Sequence, residues 1–336
     1  MKAHRFALIL ALLPGPSALA GDEPVSPVPP ASGLDSRKVE LGALIYHDIS
    51  LSDSGRIACA SCHDLNRGGS DWNRLSRDSR GNERQRNTPT TFNTSLNYAL
   101  HWDGRFSDLE SEALDGITSA RSLDTPLANF LQALREHPHY PKRFAELYAD
   151  GITKDSLADA LATFERSLVT PDSAFDRYLL GDEEALSGEA RDGYRLFKQY
   201  GCISCHQGVN LGGNLFAKIG IAMPVPPDSL AAQDPGRFDV TGRKQDKHVF
   251  RVPSLRNVAV TPPYLHNGSI ATLDETIRLM GLFQLGRKIP ATDRRKISAF
   301  LHGLTGKYQG KLLQAPPPAS PELTPGSRPG LAPAAK

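Results

Sequence analysis

Cys59-Ala60-Ser61-Cys62-His63 and Cys202-Ile203-Ser204-Cys205-His206 contain every cysteine of the 336-residue chain, both times spaced C-x-x-C-H. That spacing is the attachment signal for c-type haem. Two thiols add to the haem vinyl groups, and the next residue, histidine, is placed to bind iron. Paired cysteines serve two other chemistries: a tetrahedral zinc site of four thiolates, or a thioredoxin-like redox pair. Neither accounts for a histidine directly after both pairs. The sequence therefore reads as carrying two covalently bound haem c groups.

The chain start bears on this reading. Lys2 and Arg5 precede the apolar run Phe6 to Leu13, and Ala18-Leu19-Ala20 has the A-x-A form of a cleavage site. Residues 1–20 are expected to be a signal peptide, removed on export to the periplasm. The apolar run is far shorter than the roughly 20 residues of a spanning helix. Four cysteines in an exported protein would ordinarily suggest two disulfides, but their spacing argues for haem. The chain has 39 Lys+Arg against 37 Asp+Glu, so losing Lys2 and Arg5 leaves 37 of each. Such a balance offers no basic field for nucleic acid. A hydrophobic share of 39% excludes a wholly disordered chain, and a mean hydropathy of −0.36 excludes a polytopic membrane protein.

The periodicity is mainly α-helical. Asp35 caps a helix with Leu41, Leu44 and Ile45 on its apolar face. Thr125-Pro126 starts a second, with Leu127, Phe130, Leu131 and Leu134 at helical spacing. Leu157, Leu161, Phe164 and Leu168 form another stripe, and Ser187 opens a helix to Tyr200. Thr272-x-x-Glu275 reads as a capping box ahead of Ile277 and Met280, and Thr292 opens a last helix with Ile297, Phe300, Leu301 and Leu304. Long loops rich in Gly, Pro and Asn separate these helices, as expected of chain wrapped around a cofactor. A weak duplication, Gly42-x-x-x-Tyr46 before the first motif and Gly193-x-x-x-Phe197 before the second, points to two equivalent domains. In each, glycine lets a helix cross closely, and an aromatic residue lies one turn on. The expected organisation is two cytochrome c-like haem domains, 34–170 and 171–314, meeting near Thr170-Pro171-Asp172. A Pro-rich leader (21–33) and a Pro-rich tail (315–336) flank them, both expected to be mobile and extended.

The far side of each haem decides what it does. Methionine raises the potential, a second histidine lowers it, and an open position admits a small ligand. Beyond the signal peptide there are two methionines, Met223 and Met280. Met280, on a capped helix, is the expected ligand of the second haem. For the first haem, His47, His101, His248 and His266 remain as candidates, and none is forced. Trp102 is a candidate electron relay.

These motifs together resemble the bacterial di-haem cytochrome c peroxidases, a family that includes the protein-modifying MauG. The likeness spans roughly residues 36–310. It rests on Leu41-Gly42, Cys59 to His63, Gly68-Gly69, Arg86-Asn87-Thr88-Pro89, Trp102-Asp103-Gly104-Arg105 and Phe175 to Tyr178. It continues through Cys202 to His206, Arg251 to Asn257, Pro263-Tyr264-Leu265-His266 and Gln284-Leu285-Gly286. The resemblance implies a peroxidatic haem on His63 and an electron-entry haem on His206 with Met280 opposite, with Trp102 between them. It also implies calcium held by Asn87 and the backbone oxygens of Thr261 and Pro263, an all-oxygen set that suits a hard cation.

Three departures from the family pattern shape the expectation. The distal histidine of many members falls on Ser79, so the first haem is expected to be five-coordinate and open without prior reduction. The peroxide-cleaving glutamate falls on Ser122 and its companion glutamine on Glu112, making Glu112 the candidate acid/base. MauG has tyrosine where this chain has Met280, which favours peroxidase over maturase. The implied partners are hydrogen peroxide and a small c-type cytochrome or cupredoxin as donor. A homodimer is common in the family, but no interface is legible here. The rival expectations are a MauG-like enzyme oxidising a residue on a partner protein, and a di-haem electron carrier with His101 or His47 as a sixth ligand.

Overall fold

Two helix crossings organise the chain, and both are built on glycine. A computed structural model describes residues 23–226 and 233–316. The expected signal peptide and nearly all of the tail lie outside the described residues. The N-terminal half contains α1 (Ser36–His47), α2 (Leu109–Thr118), α3 (Leu127–Glu136), α4 (Tyr140–Leu147) and α5 (Lys154–Ser167). The C-terminal half contains α6 (Ala174–Leu179), α7 (Gly188–Tyr200), α8 (Phe238–Thr241), α9 (Leu273–Leu279) and α10 (Ala291–His302). Strands are few: β1 (Phe216–Lys218) pairs antiparallel with β2 (Val249–Arg251), and β3 (Lys307–Tyr308) with β4 (Lys311–Leu312). The fold is mainly α.

Where α1 crosses α5, a Cβ added to Gly42 would overlap the Ala160 carbonyl oxygen and lie 2.6 Å from Phe164 Cβ. Where α7 crosses α10, a Cβ on Gly193 would overlap the Lys296 carbonyl oxygen and lie 3.0 Å from Phe300 Cβ. One turn after each glycine an aromatic ring reaches the motif. Tyr46 donates its hydroxyl to the His63 carbonyl at 2.8 Å, and the Phe197 ring lies 6.4 Å from that of His206. Each crossing thus anchors one C-x-x-C-H segment.

The helix signals hold with local adjustments. Asp35 caps α1 through Arg37 N, and Ser187 caps α7 through Ala190 N. Thr272 caps α9 through Glu275 N, but the Glu275 carboxylate turns to Arg278 at 2.7 Å, leaving half of the expected capping box. The last helix begins at Ala291, after Pro290. Leu44, expected on the apolar face of α1, is 40% exposed. The buried stripe is Leu41, Ile45 and Tyr46 instead.

The apolar residues form two main cores. The N-terminal one gathers Leu41, Ile45, Ile117, Leu134, Leu161 and Phe164; the C-terminal one gathers Phe175, Tyr194, Phe197, Ile297, Phe300 and Leu301. They meet at a buried polar junction. Asn93 and Thr170 exchange hydrogen bonds at 2.8 and 2.9 Å, and Asn257 donates to the same Thr170 hydroxyl at 2.9 Å. Asn210 donates to the Asn93 carbonyl at 2.9 Å. The Asn93 and Asn257 amides, satisfied in this way, hold one geometry, because any displacement strands a polar group.

Two terminal segments depart from the sequence reading. The leader, expected to be mobile, is fastened to the C-terminal half: Val25 and Val28 are buried, and Glu23 accepts from Lys198 at 2.9 Å and from the Tyr194 hydroxyl. It also completes a buried ion pair. Arg256 meets Asp176 at 2.8 Å, Val28 N donates to that carboxylate at 3.0 Å, and Ser26 O accepts from Arg256 at 2.8 Å. Such a pair is stable only when its remaining hydrogen-bonding capacity is met, and the leader meets part of it. At the other end, the β3–β4 hairpin returns to the N-terminal core, with Tyr308 5.0 Å from Phe92 and Leu313 buried there.

Candidate functional site: two cavities joined by a tryptophan

Each C-x-x-C-H segment lines its own cavity. Cys59, Cys62 and His63 border one; Cys202, Cys205 and His206 border the other. All four cysteines are free. A four-thiolate zinc centre is excluded by this separation, and the described residues hold no cluster of three or more His, Cys, Asp or Glu able to bind a metal. Burial pushes the Cys202 thiol up to about 12 and Cys59 higher still. A redox C-x-x-C needs the opposite, a lowered thiol.

The two histidines are prepared alike. His63 Nδ1 lies 3.3 Å from Gly69 O, and His206 Nδ1 lies 3.1 Å from Leu211 O. A carbonyl only accepts, so Nδ1 carries the proton and Nε2 is left as a ligand, as in histidines that bind metal. Burial lowers the pKa of both rings, that of His206 to about 4, which keeps them neutral. Thiols, a neutral imidazole and a cavity at each motif fit haem c.

In the C-terminal cavity, of about 460 Å³, the wall is largely apolar and includes Phe197, Val252, Leu273, Ile277 and Met280. Met280 opens a π-helical turn, Met280–Gln284, directly after α9. Met223 lies outside this lining and is 41% exposed. Its loop is pinned to the same turn: Met223 N donates to Phe283 O at 3.1 Å and Gly220 N to Gln284 Oε1 at 2.6 Å.

The N-terminal cavity, of about 140 Å³, is crowded with titratable groups. Glu112, on α2, has Oε1 2.9 Å from His101 Nε2. His101 Nδ1 is 3.4 Å from Arg105 Nη2, which is 3.5 Å from Asp115. Burial alone would raise the Glu112 carboxyl, but the hydrogen bond and charge of His101, with Arg105, outweigh it and hold it below the usual glutamate value. Glu165, on α5, lines the same cavity. Burial, and then the nearby Glu112 charge, push it well above the carboxylate range. Two carboxyls in one cavity are thereby driven to opposite protonation states. Ser122 also lines the cavity, and Ser79 N donates to Ser122 O at 3.2 Å. The two serines that stand where the family pattern has histidine and glutamate are neighbours.

Sequence reasoning treated His101 only as a sixth-ligand candidate and missed its bond to Glu112. It also missed Glu165, although a carboxylate one residue after Phe164 and four after Leu161 on a buried stripe was a visible signal. His47 faces solvent, its ring on Ala43 O at 2.8 Å, outside the cavity lining. His248 lies outside both linings, on Asp234 O at 2.8 Å; His266 lines the C-terminal cavity, stacked 4.2 Å from Phe250.

Trp102 lines both cavities. Its indole N–H donates to Asn87 O at 2.9 Å, and its carbonyl accepts from Arg251 N at 2.8 Å. Asn87, Thr261 and Pro263 all border the C-terminal cavity. Asn87 Nδ2 donates to Asn73 O at 2.9 Å and Arg74 O at 3.3 Å. Among the described residues neither Asn87 Oδ1 nor the carbonyls of Thr261 and Pro263 accept a hydrogen bond. Three unengaged oxygens fit a hard cation.

The comparisons agree with this geometry. Residues 36–184 match the family model described as di-haem cytochrome c peroxidase. The chain is 38% identical over 320 residues to cytochrome c551 peroxidase of Nitrosomonas europaea, covering 95% of each. It is 41% identical over 292 residues to cytochrome c peroxidase Ccp of Escherichia coli, covering 85% of this chain and 62% of that longer protein. A crystal structure of a MauG-like protein associated with microbial copper homeostasis superposes with a TM-score of 0.72 at 26% identity, covering 89% of this chain and 96% of that one. Two glycine-built crossings, two histidines with free Nε2 atoms and a shared tryptophan thus go with extensive sequence identity, and the chain belongs to the bacterial di-haem cytochrome c peroxidase family of oxidoreductases.

Proposed function

We propose that the protein is a periplasmic peroxidase that reduces hydrogen peroxide to water with electrons from a small c-type cytochrome or a cupredoxin. One observation carries this reading: the cavity at His63 contains a carboxylate hydrogen-bonded to a histidine, Glu112 to His101 at 2.9 Å, and no methionine lines it. His101 is the one other histidine in that lining, and it is held by Glu112 and Arg105. This supports an open position opposite His63.

When bound, haem c supplies the redox chemistry, while the protein sets ligation and proton supply. Glu112, ionised at neutral pH, can take a proton from one peroxide oxygen at Oε2, the oxygen not bonded to His101, and return it to the other. His101 Nε2 holds that carboxylate in place. Met280 and His206 would hold the electron-entry haem, and a thioether with an imidazole would raise its potential. Trp102 offers the contact between the two cavities. Asn87, Thr261 and Pro263 would hold calcium beside it. Export to the periplasm rests on the signal-like residues 1–20. Among the described residues no helix is long and apolar enough to cross a membrane.

Peroxide turnover by the fully oxidised, calcium-loaded protein, with reduced small cytochrome c and no pre-reduction, tests the reading. Fast turnover is expected. A requirement for pre-reduction would reveal a displaceable sixth ligand, and complete inertness would leave an electron carrier. Ser122, where the family pattern has glutamate, favours a second reading: a MauG-like enzyme that uses peroxide to oxidise a residue of a partner protein. That reading expects slow consumption and a long-lived oxidised spectrum.

A further inference from the structure

Arg251, the last residue of β2, lines both cavities. It is 5% exposed. Its backbone N–H donates to Trp102 O at 2.8 Å and its Nε to His101 O at 3.0 Å. These two bonds fix the side chain beside the tryptophan, but neither supplies negative charge. Nη1 is fully enclosed and has no hydrogen-bond partner among the described residues.

Two other guanidiniums nearby are paired. Arg256 has Asp176 at 2.8 Å, and Arg86 is held by Asp103 and Asp234. Asp103, the carboxylate whose charge Arg251 feels, is engaged by Arg86 and Arg105. No carboxylate among the described residues pairs with Arg251 itself. Burial pushes this guanidinium down to about 10, and the Asp103 charge offsets that only in part. A buried cation without an anion is costly. Here it stands where two cavities meet, each fitted for a group that carries two carboxylates.

We propose that Arg251 is a shared anion site, binding a propionate carboxylate of the haem in each cavity. A planar fork with several donors can engage two carboxylates at once, which a point charge does less well. One cation would then set the potentials of both centres from a position fastened to Trp102. The proposal rests on the two-haem reading but not on peroxidase activity.

The test is a spectroelectrochemical titration of both haems in the holoprotein and in its Arg251→Gln and Arg251→Lys variants. Removing the cation destabilises the added electron, so R251Q is expected to lower both midpoints, and R251K to lower both by less. A shift of one midpoint alone, or of neither, overturns the shared site. If R251Q fails to retain both haems, R251K decides by the same criterion. A free anion is separated by varying chloride at constant ionic strength. Midpoints of the unaltered protein that follow chloride, with the dependence lost in the variants, would overturn the propionate assignment; independence of chloride is expected. Failure of the peroxidase reading would appear in turnover and leave these midpoints where they are.

Discussion

The two cavities carry the same attachment motif and the same glycine-built helix crossing, yet their walls are opposites. The C-terminal cavity, about 460 Å³, presents Met280 amid apolar side chains. The N-terminal cavity, about 140 Å³, presents Glu112, Glu165, His101 and Arg105. A largely apolar wall whose described lining has no carboxylate can tune a potential but is poorly suited to supply protons. A wall with one carboxyl held ionised and another held neutral can move protons without large rearrangement. The scaffold is duplicated, and the division of labour lies in the lining.

Exchanging the character of one wall is the strongest way to break this comparison. Glu112→Gln is expected to lower peroxide turnover by roughly 10²- to 10⁴-fold, the range for losing a positioned acid/base, with the midpoint of the C-terminal haem unchanged. Steady-state kinetics with parallel potentiometry would show it, and an equal loss of potential would contradict the division. The pH profile sharpens the point. The folded Glu112 carboxyl lies below 4.5, so its ionised form persists as pH falls and is lost only below that value. An acid limb below pH 4.5 that disappears in E112Q is expected.

In the other wall, Met280→His should lower the midpoint of the C-terminal haem. It should slow electron delivery from the donor, while a pre-reduced enzyme still makes its first turnover at the native rate. Stopped-flow kinetics separates the two effects.

The shared scaffold predicts equal damage in both halves. Gly42→Ala and Gly193→Ala each force a methyl against a backbone carbonyl. Each should cost about 1–3 kcal/mol for overpacking, beyond the roughly 1 kcal/mol that alanine gains in helix propensity. Denaturant unfolding of the two variants measures this, and a marked inequality would mean that the crossings are not equivalent.

A smaller asymmetry comes from the leader. Val25→Ala should cost about 1.5 kcal/mol, the worth of two buried methyl groups, with reduced protection from hydrogen exchange in α7 and no change in α1. An effect of opposite sign is expected from Glu165→Gln. The native carboxyl is raised above its unfolded value, so from about pH 4.5 upward the unfolded state ionises first and folding weakens. The glutamine variant should therefore melt higher than the native protein, by a margin that grows with pH. A margin that shrank with pH would show Glu165 to be ionised in the folded state.

Much of this was legible in the chain. Helix starts followed from local bonds: Asp35 and Ser187 cap within three residues, so no distant partner was needed. Glycines followed by an aromatic four residues later marked the crossings because one turn of helix places both on one face. Leu44 was misread because Leu41, Ile45 and Tyr46 set the buried face of α1, which turns Leu44 toward solvent. The leader was misread because composition describes an isolated segment, whereas Val25, Val28 and Glu23 find partners more than a hundred residues away.

The sequence by itself determined attachment chemistry and helical class, since C-x-x-C-H spacing and helix caps act over a few bonds. It also supplied Met280 and Trp102 as candidates. Tertiary structure alone decided which methionine lines a cavity and that one tryptophan borders both. Only the folded chain brings His101 to Glu112 and leaves Arg251 without a carboxylate among the described residues. Those relations depend on chain segments folded back against each other, where burial and charge act across space that residue spacing does not record.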